Sequence, residues 1–310
     1  MTTTLSICIP TYNRVSLLSE ALDSILAQAR EGLEVVICDN ASSDATQELV
    51  EEYRQKFGNI TYFRWDENMG FDRNILKVIE LASGEYCWFF GDDDQLEAGA
   101  LDHVFPLLNK GFDLIYLNAM SYDSSMRNPS GPTLNSFECG DADSTLLSLA
   151  SWITFVSSIC VRREEFMKHF QVGLAHVGTG FAHCYPLLKL MHGGRCRIVP
   201  ETLVKFRAGN TGGYNIFKIF IEEFGKIMDY AGNIGFSRDT IFNILTRNVY
   251  IVIIPALVQI KLGKLSLKSD NAMHFLSRSG LGVKEKFLLL VLALCPARII
   301  ILMKNIKNLK

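Results

Sequence analysis

Net charge of either sign is scarce in this chain. Its 310 residues hold 31 Lys and Arg against 33 Asp and Glu, a formal balance of −2, which excludes a uniformly basic nucleic-acid binder. A C-x-x-C pair is also missing. Cys8, Cys38, Cys87, Cys139, Cys160, Cys184, Cys196 and Cys295 follow no regular spacing, and several sit inside apolar runs, so they read as free thiols of a reducing cytoplasm. No G-x-G-x-x-G follows the first strand-like segment and no G-x-x-x-x-G-K-[ST] occurs, which removes the glycine-rich phosphate cradles of dehydrogenases and P-loop enzymes. There is no internal repeat. A membrane span needs ~20 apolar residues. Val249–Ile260 is broken by Pro255 and Gln259, and Phe287–Met303 by Pro296 and Arg298, so neither is expected to cross a bilayer. A strand-like run starting at Leu5 leaves no room for a signal peptide, and the expected location is cytoplasmic.

What is present is a globular composition, 48% hydrophobic and 21% charged, with length for one large domain or two modest ones. The near-neutral total hides a division. Residues 245–310 carry eleven Lys and Arg against only Asp270 and Glu285, a balance of +9, which leaves −11 for residues 1–244. An acidic body and a basic tail imply two surfaces with different work.

The first ~120 residues alternate between strand and helix patterns. Leu5–Pro10, Leu33–Cys38, Ile60–Trp65, Tyr86–Phe90 and Leu114–Leu117 read as strands. Val15–Ala29, Ser42–Phe57 and Arg73–Ala82 read as helices between them. The expected fold is therefore α/β, a mostly parallel sheet flanked by helices, which gathers ligands at the carboxyl ends of its strands. Ser121–Asp143 reads as a surface loop, Trp152–Val161 as a buried strand, and the chain from Ile216 onward as a helical C-terminal extension.

Polar residues cluster at those strand ends. Asp92, Asp93 and Asp94 directly follow an apolar strand, where mutual repulsion raises carboxylate pKa values unless a cation is near. Hard oxygen ligands there suit Mg2+ or Mn2+ shared with substrate phosphates; the alternative is a solvated acidic turn. Asp39 ends an apolar strand and can accept from a base N–H or a ribose hydroxyl. Its alternative role is in helix capping, for which Asp44 and Ser42 are also placed.

Ile9-Pro10-Thr11-Tyr12-Asn13-Arg14, Asp39-Asn40-Ala41-Ser42-Ser43-Asp44-Ala45-Thr46, Asn68-Met69-Gly70 and Gly91-Asp92-Asp93-Asp94 together resemble the family 2 glycosyltransferases of the Rossmann-like GT-A fold. Weaker likeness continues through Val161-Arg162-Arg163, Gly193-Gly194 and Pro200–Arg207, so about two-thirds of the chain is covered. The resemblance implies an inverting enzyme that takes a nucleotide-sugar and a divalent metal. It assigns the nucleotide-sugar to Pro10, Thr11, Tyr12, Asn13, Arg14, Asp39, Asn40, Asn68, Gly70, Arg73, Asp92 and Arg207. The metal falls to Asp92, Asp93 and Asp94, with Asp93 as the first choice of direct ligand. Two departures stand out. Gly91 occupies the first position of the family's D-x-D-D pattern. Ala182-His183 stands where the family has a Glu-Asp pair, and no carboxylate lies between Gln171 and Val199. His183 is then the expected catalytic base, since an imidazole near pKa ~6.5 can take a hydroxyl proton; its alternative is a packing role at a helix start. His176 and Tyr185 are placed to orient an acceptor.

The resemblance thus divides the chain at 1–214, a nucleotide-sugar transferase domain, and 215–310, a basic and hydrophobic region. That region is expected to lie peripherally at the inner membrane face through interfacial helices, or to join subunits. A lipid-linked or polysaccharide acceptor, as in O-antigen synthesis with hexoses or deoxyhexoses, is the implied partner; nucleic acid is not. One alternative is a sugar nucleotidyltransferase, which would want a basic glycine-rich loop where Asn13-Arg14-Val15-Ser16 stands. The other is a non-catalytic, membrane-recruited binding module, suggested by the missing carboxylate base.

Overall fold

The computed structural model describes residues 4–133, 140–207, 218–261 and 282–294. Cys139, Cys295, Arg298, Lys304, Lys307 and Lys310, and with them much of the basic tail, lie outside the described residues. The chain divides into two compact units, residues 1–148 with 152–210, and residues 149–151 with 211–310.

In the first unit the apolar runs become strands β1 (Leu5–Thr11), β2 (Leu33–Asp39), β3 (Ile60–Arg64) and β4 (Tyr86–Phe89), all paired in parallel in the order β3-β2-β1-β4. Every residue of β1, β2 and β4 is buried, as expected for parallel strands covered on both faces. The connecting helices are α1 (Val15–Leu26), α2 (Thr46–Lys56) and α3 (Phe71–Leu81). They bury apolar residues at helical spacing, Leu18, Ala21, Leu22 and Ile25 on α1 and Ile75, Leu76, Val78 and Ile79 on α3. Because β1 lies between β2 and β4, the chain reverses its direction of travel across the sheet at β1. The crevice at the carboxyl ends of β1, β2 and β4 is therefore the topological switch point.

The sheet continues with β5 (Gln95–Leu96), β6 (Leu114–Tyr122), β7 (Pro129–Thr133), β8 (Ile159–Arg162) and β9 (Cys196–Arg207). Here β8 runs antiparallel between β4 and β6, and β9 runs parallel to β6. Three expectations change. Trp152–Val161 is no single strand: residues 150–154 and 156–158 form tight 3-10 turns and only Ile159–Arg162 is extended. Ser121–Asp143 is not all loop, since β7 folds back onto Met120 and Tyr122. The long strand β9 is hidden in sequence by Pro200, which sits at a break in the β6 register between Leu117 and Asn118; Asn118 Nδ2 donates to the Pro200 carbonyl at 2.7 Å. Around these strands lie α4 (Ala100–Leu108), α5 (Ala142–Leu149), α6 (Arg163–Lys168), α7 (Phe170–Ala175) and α8 (Cys184–Gly193).

The second unit is helical where described: α9 (Phe224–Asn233), α10 (Arg238–Asn248), α11 (Ile254–Lys261) and α12 (Val283–Leu294), with π-helical stretches at Lys218–Glu223 and Val249–Ile253. The Ser237 hydroxyl caps α10 by accepting from the Thr240 N–H at 3.2 Å. The expectation that Pro255 interrupts this region does not hold. The widened turn at Val249–Ile253 precedes the proline and lets the helix pass through it. Arg238–Val258 is one helix of 21 residues containing an 18-residue window of mean hydropathy 1.8, long and apolar enough to cross a membrane by length and composition.

Candidate active site

The switch-point crevice is walled by three loops that hydrogen-bond one another. At the end of β1, Thr11 stands beside Asp39 in the parallel register. Asn13 adopts φ +52, a region tolerated by Asn; its N–H donates to Ser42 Oγ at 2.9 Å and its Oδ1 accepts from the Ser43 N–H at 2.7 Å. Asp44 caps two helices at once: Oδ2 accepts from the Val15 N–H of α1 at 3.0 Å, and Oδ1 from Thr46 N and Oγ1 of α2 at 3.2 and 2.5 Å. Desolvation opposes ionisation of Asp44, but these donors lower its pKa overall. Asn40 and Asn68 pair through their amides at 2.8 Å, and Met69 N donates to Asn40 Oδ1 at 2.8 Å. Asn68 Oδ1 also accepts from the Gly70 N–H at 2.9 Å, where φ of +80 suits glycine as the chain turns into α3.

The three aspartates after β4 do not share one environment. Asp92 is 5% exposed; Thr11 Oγ1 donates to its Oδ2 at 2.8 Å and Arg14 Nη1 to its Oδ1 at 2.9 Å. Desolvation raises its pKa from 3.8 to about 6, with Asp93 adding to the rise and Arg14 and Thr11 opposing it. Asp94 is equally buried, accepts from the Ser157 hydroxyl and from the Arg207 N–H at 3.3 Å, and is also raised, by desolvation first and by Asp93 second. Asp93 is the member that faces outward, its side chain 18% exposed with Arg14 Nη1 at 3.5 Å. A Cβ at Gly91 would stand 3.1 Å from both Asp93 Oδ1 and Asp94 Oδ2, so an aspartate at this position would crowd the cluster.

Several expected contacts are relocated. Asp39 is fully buried, with Oδ1 accepting from the Ser42 N–H at 2.8 Å and Oδ2 from Tyr62 Oη at 2.8 Å, and Arg64 Nε lies 3.6 Å away. In this conformation both of its oxygens are engaged by the protein itself. Arg207 is engaged by Glu20 at 2.6 Å, by the Ser124 carbonyl and by the Asp93 carbonyl at 3.4 Å, so it ties β9 to α1. Pro10 is buried in the sheet, while Tyr12 is 43% exposed and Arg73 is exposed. Gly209 and Asn210, which follow Arg207, lie outside the described residues.

His183, the expected base, is buried. It is 1% exposed, with its ring edge-on to Phe71 (6.0 Å between centroids) and tilted against Phe89 (6.2 Å), and Nε2 3.5 Å from Cys184 Sγ. Desolvation pushes its pKa down to about 4, against the pull of Asp72. Burial and a pKa of about 4 both weigh against a role as a base in this conformation. His176 stacks face to face on Tyr185, 3.6 Å between centroids.

A divalent cation fits the donor chemistry of Asp93, a hard oxygen ligand on a rigid strand end, backed by two carboxylates that burial has left under-compensated. Among the described residues no group of three or more His, Cys, Asp or Glu side chains is placed to hold a metal ion.

The family profile described as Glycosyl transferase family 2 matches residues 6–164. The chain belongs to this family. It is 30% identical over 224 residues to an abequosyltransferase of Salmonella typhimurium, a match covering 66% of this chain and 67% of that protein. It is also 34% identical over 117 residues to a GalNAc(5)-diNAcBac-PP-undecaprenol beta-1,3-glucosyltransferase of Campylobacter jejuni, covering 37% of this chain and 38% of that one. Among solved structures it resembles S. aureus TarS 1-349 in complex with UDP-GlcNAc, with a TM-score of 0.64 at 16% identity over 96% of this chain and 88% of that one. The mannosyltransferase PcManGT of Pyrobaculum calidifontis in complex with GDP-Man and Mn2+ gives 0.56 at 18% identity over 100% and 89%. At these identities the likeness shows the GT-A fold.

For this family 2 glycosyltransferase, sequence reasoning missed Tyr62 and Ser157, which meet Asp39 and Asp94 from distant segments. A lone Tyr and a Ser in an apolar stretch carry no signal of it. It also missed Asp72, whose carboxylate is 5% exposed and accepts from three backbone N–H groups of the chain entering α8.

Proposed function

We propose that this glycosyltransferase moves a sugar, with inversion, from a nucleoside-diphosphate sugar to a hydroxyl of a lipid-linked or polysaccharide acceptor. The observation that carries the reading is the outward-facing Asp93 between two buried, under-compensated carboxylates at the switch point. When bound there, Mg2+ or Mn2+ supplies charge neutralisation for the departing nucleoside diphosphate. Asp93 would hold the cation, and Asp92 and Asp94, held by Thr11, Arg14 and Ser157, add negative charge beside it. Arg14 holds a second positive charge beside Asp93, where it can meet phosphate oxygens. The Asn40–Asn68 amide pair and Asn13 fix the crevice walls, and Tyr12, exposed at its mouth, offers a ring face to the donor.

The name of the Campylobacter jejuni relative, which includes a PP-undecaprenol carrier, supports a lipid-linked acceptor, and the complexes of the two structural neighbours support a nucleotide-sugar donor. Peripheral membrane contact is part of the same proposal. On α12, Val283, Phe287 and Val291 recur every fourth residue and are 87%, 67% and 45% exposed, with Lys284 and Lys286 between them. An apolar stripe edged by basic residues suits an anionic bilayer interface. The test is transfer of label from a panel of nucleotide-sugars to a bacterial glycolipid extract, with and without Mn2+. No transfer from any donor, beside intact nucleotide binding, would favour the non-catalytic binding module.

A further inference from the structure

The N-terminal turn of α3 joins two parts of the site. On one side Asn74 Nδ2 donates to the carbonyls of Cys38 at 2.9 Å and Thr11 at 3.4 Å, tying α3 to the ends of β2 and β1 beside the aspartates. On the other side, two residues earlier, Asp72 reaches residues 178–182, the segment that leads into α8. Its Oδ2 accepts from the Gly178 N–H at 2.7 Å and the Gly180 N–H at 2.8 Å, and its Oδ1 from the Ala182 N–H at 3.0 Å. The loop needs this anchor. Gly178 and Gly180 hold φ of +100 and +76, conformations that leave successive N–H groups pointing at one spot. A buried carboxylate that accepts three N–H bonds is worth more than neutral acceptors could be. Beside the Asp72 tie stand Phe71, 45% exposed, and His183, whose ring meets both Phe71 and Phe89 of β4. The loop is thus registered against the strand that carries the aspartates.

We propose that Asp72 is a positioning residue for the acceptor, fixing the loop 178–183 at the distance from Asp93 that in-line transfer requires. This rests on the glycosyltransferase reading and adds to it the means by which the wall before α8 is held without a carboxylate of its own. The neutral amide of Asp72→Asn offers one accepting oxygen to three donors and turns its own NH2 toward N–H groups. The loop then loses its register while the Asn74 tie and the aspartates stay as they are.

The test compares wild type with Asp72→Asn in two measurements. One is calorimetric affinity for UDP, GDP, CDP and dTDP with Mn2+. The other is label transfer from the corresponding nucleotide-sugars to a bacterial glycolipid extract at varied extract concentration. Transfer efficiency is expected to fall about 10²-fold, the scale of an ~1 Å misplacement, with nucleotide affinity held within about twofold. Gly180→Ala, strained at φ +76, perturbs the same loop at one of the N–H groups that Asp72 accepts from. It should reproduce the split, and the double variant should lose little more than either alone. Unchanged transfer in Asp72→Asn, or equal losses of nucleotide affinity and transfer in both variants, overturns the assignment. A wild-type enzyme that binds nucleotide and transfers to nothing would instead refute the glycosyltransferase reading while leaving the loop geometry intact.

Discussion

Asp92 carries a charge that its surroundings do not fully support, and the consequence is measurable. Its carboxylate is 5% exposed and its pKa is raised from 3.8 to about 6. Each pH unit between folded and unfolded pKa values is worth ~1.4 kcal/mol, so holding the ionised form costs the fold ~3 kcal/mol. The sign follows from proton binding. Between 3.8 and about 6 the folded state holds a proton that the unfolded state has released. The protonated group's stability is therefore fully present below 3.8 and is lost as pH rises through about 6. Asp92→Asn keeps the shape, an acceptor for Arg14 and a partner for Thr11, and removes the charge. In chelator, the variant should match wild type near about pH 4 and exceed it by up to ~3 kcal/mol near about pH 8, read from urea unfolding of both proteins across that range. A stability difference that does not change with pH, or a variant less stable than wild type near about pH 8, would refute the account of the cluster as under-compensated.

Three further outcomes are expected. Asp93→Ala should leave stability near wild type and lower transfer by about 10²-fold or more, with Mn2+-dependent nucleotide affinity lost in calorimetry; full transfer activity would remove Asp93 from the site. His183→Gln should leave the pH profile of transfer unchanged, whatever the lost packing on Phe71 and Phe89 costs in rate, because a buried ring at pKa about 4 takes no acceptor proton. A fall in the general-base range of about 10²–10⁴-fold, together with loss of the acidic limb of the pH profile, would restore it as the base. Replacing Val283, Phe287 and Val291 with Ser should weaken binding to anionic vesicles by up to ~4 kcal/mol, about 10³-fold in partitioning; unchanged sedimentation with vesicles would assign the stripe to another surface.

The parts of the molecule legible in sequence are those whose physics is local. β1, β2 and β4 read as strands because burial on both faces makes them continuously apolar, and the helices between them read from their spacing. The polar clusters at the strand ends, Thr11–Arg14, Asp39–Asp44 and Gly91–Asp94, could be placed at one edge from topology alone. What sequence did not show is what each group faces once folded. Asp39 ends its strand as expected, but Tyr62 from the neighbouring strand covers it. Arg207 follows β9 as a basic residue near the aspartates, and Glu20 on α1 captures it. His183 starts a helix as expected, yet its access is closed by Phe71 and Phe89, which come from far earlier in the chain. In the same way β9 was concealed by the proline at its bulge, and the helix through Pro255 by a π-turn that has no sequence signature.

The central claim, a nucleotide site completed by a cation at Asp93, is tested most directly by calorimetric titration of UDP, GDP, CDP and dTDP into the full chain, with Mn2+ and with chelator. The expected result is that at least one nucleoside diphosphate binds in Mn2+, and binds about tenfold or more weakly in chelator and in Asp93→Ala. Absence of binding by all four in Mn2+, or affinity that neither chelator nor Asp93→Ala alters, would contradict it.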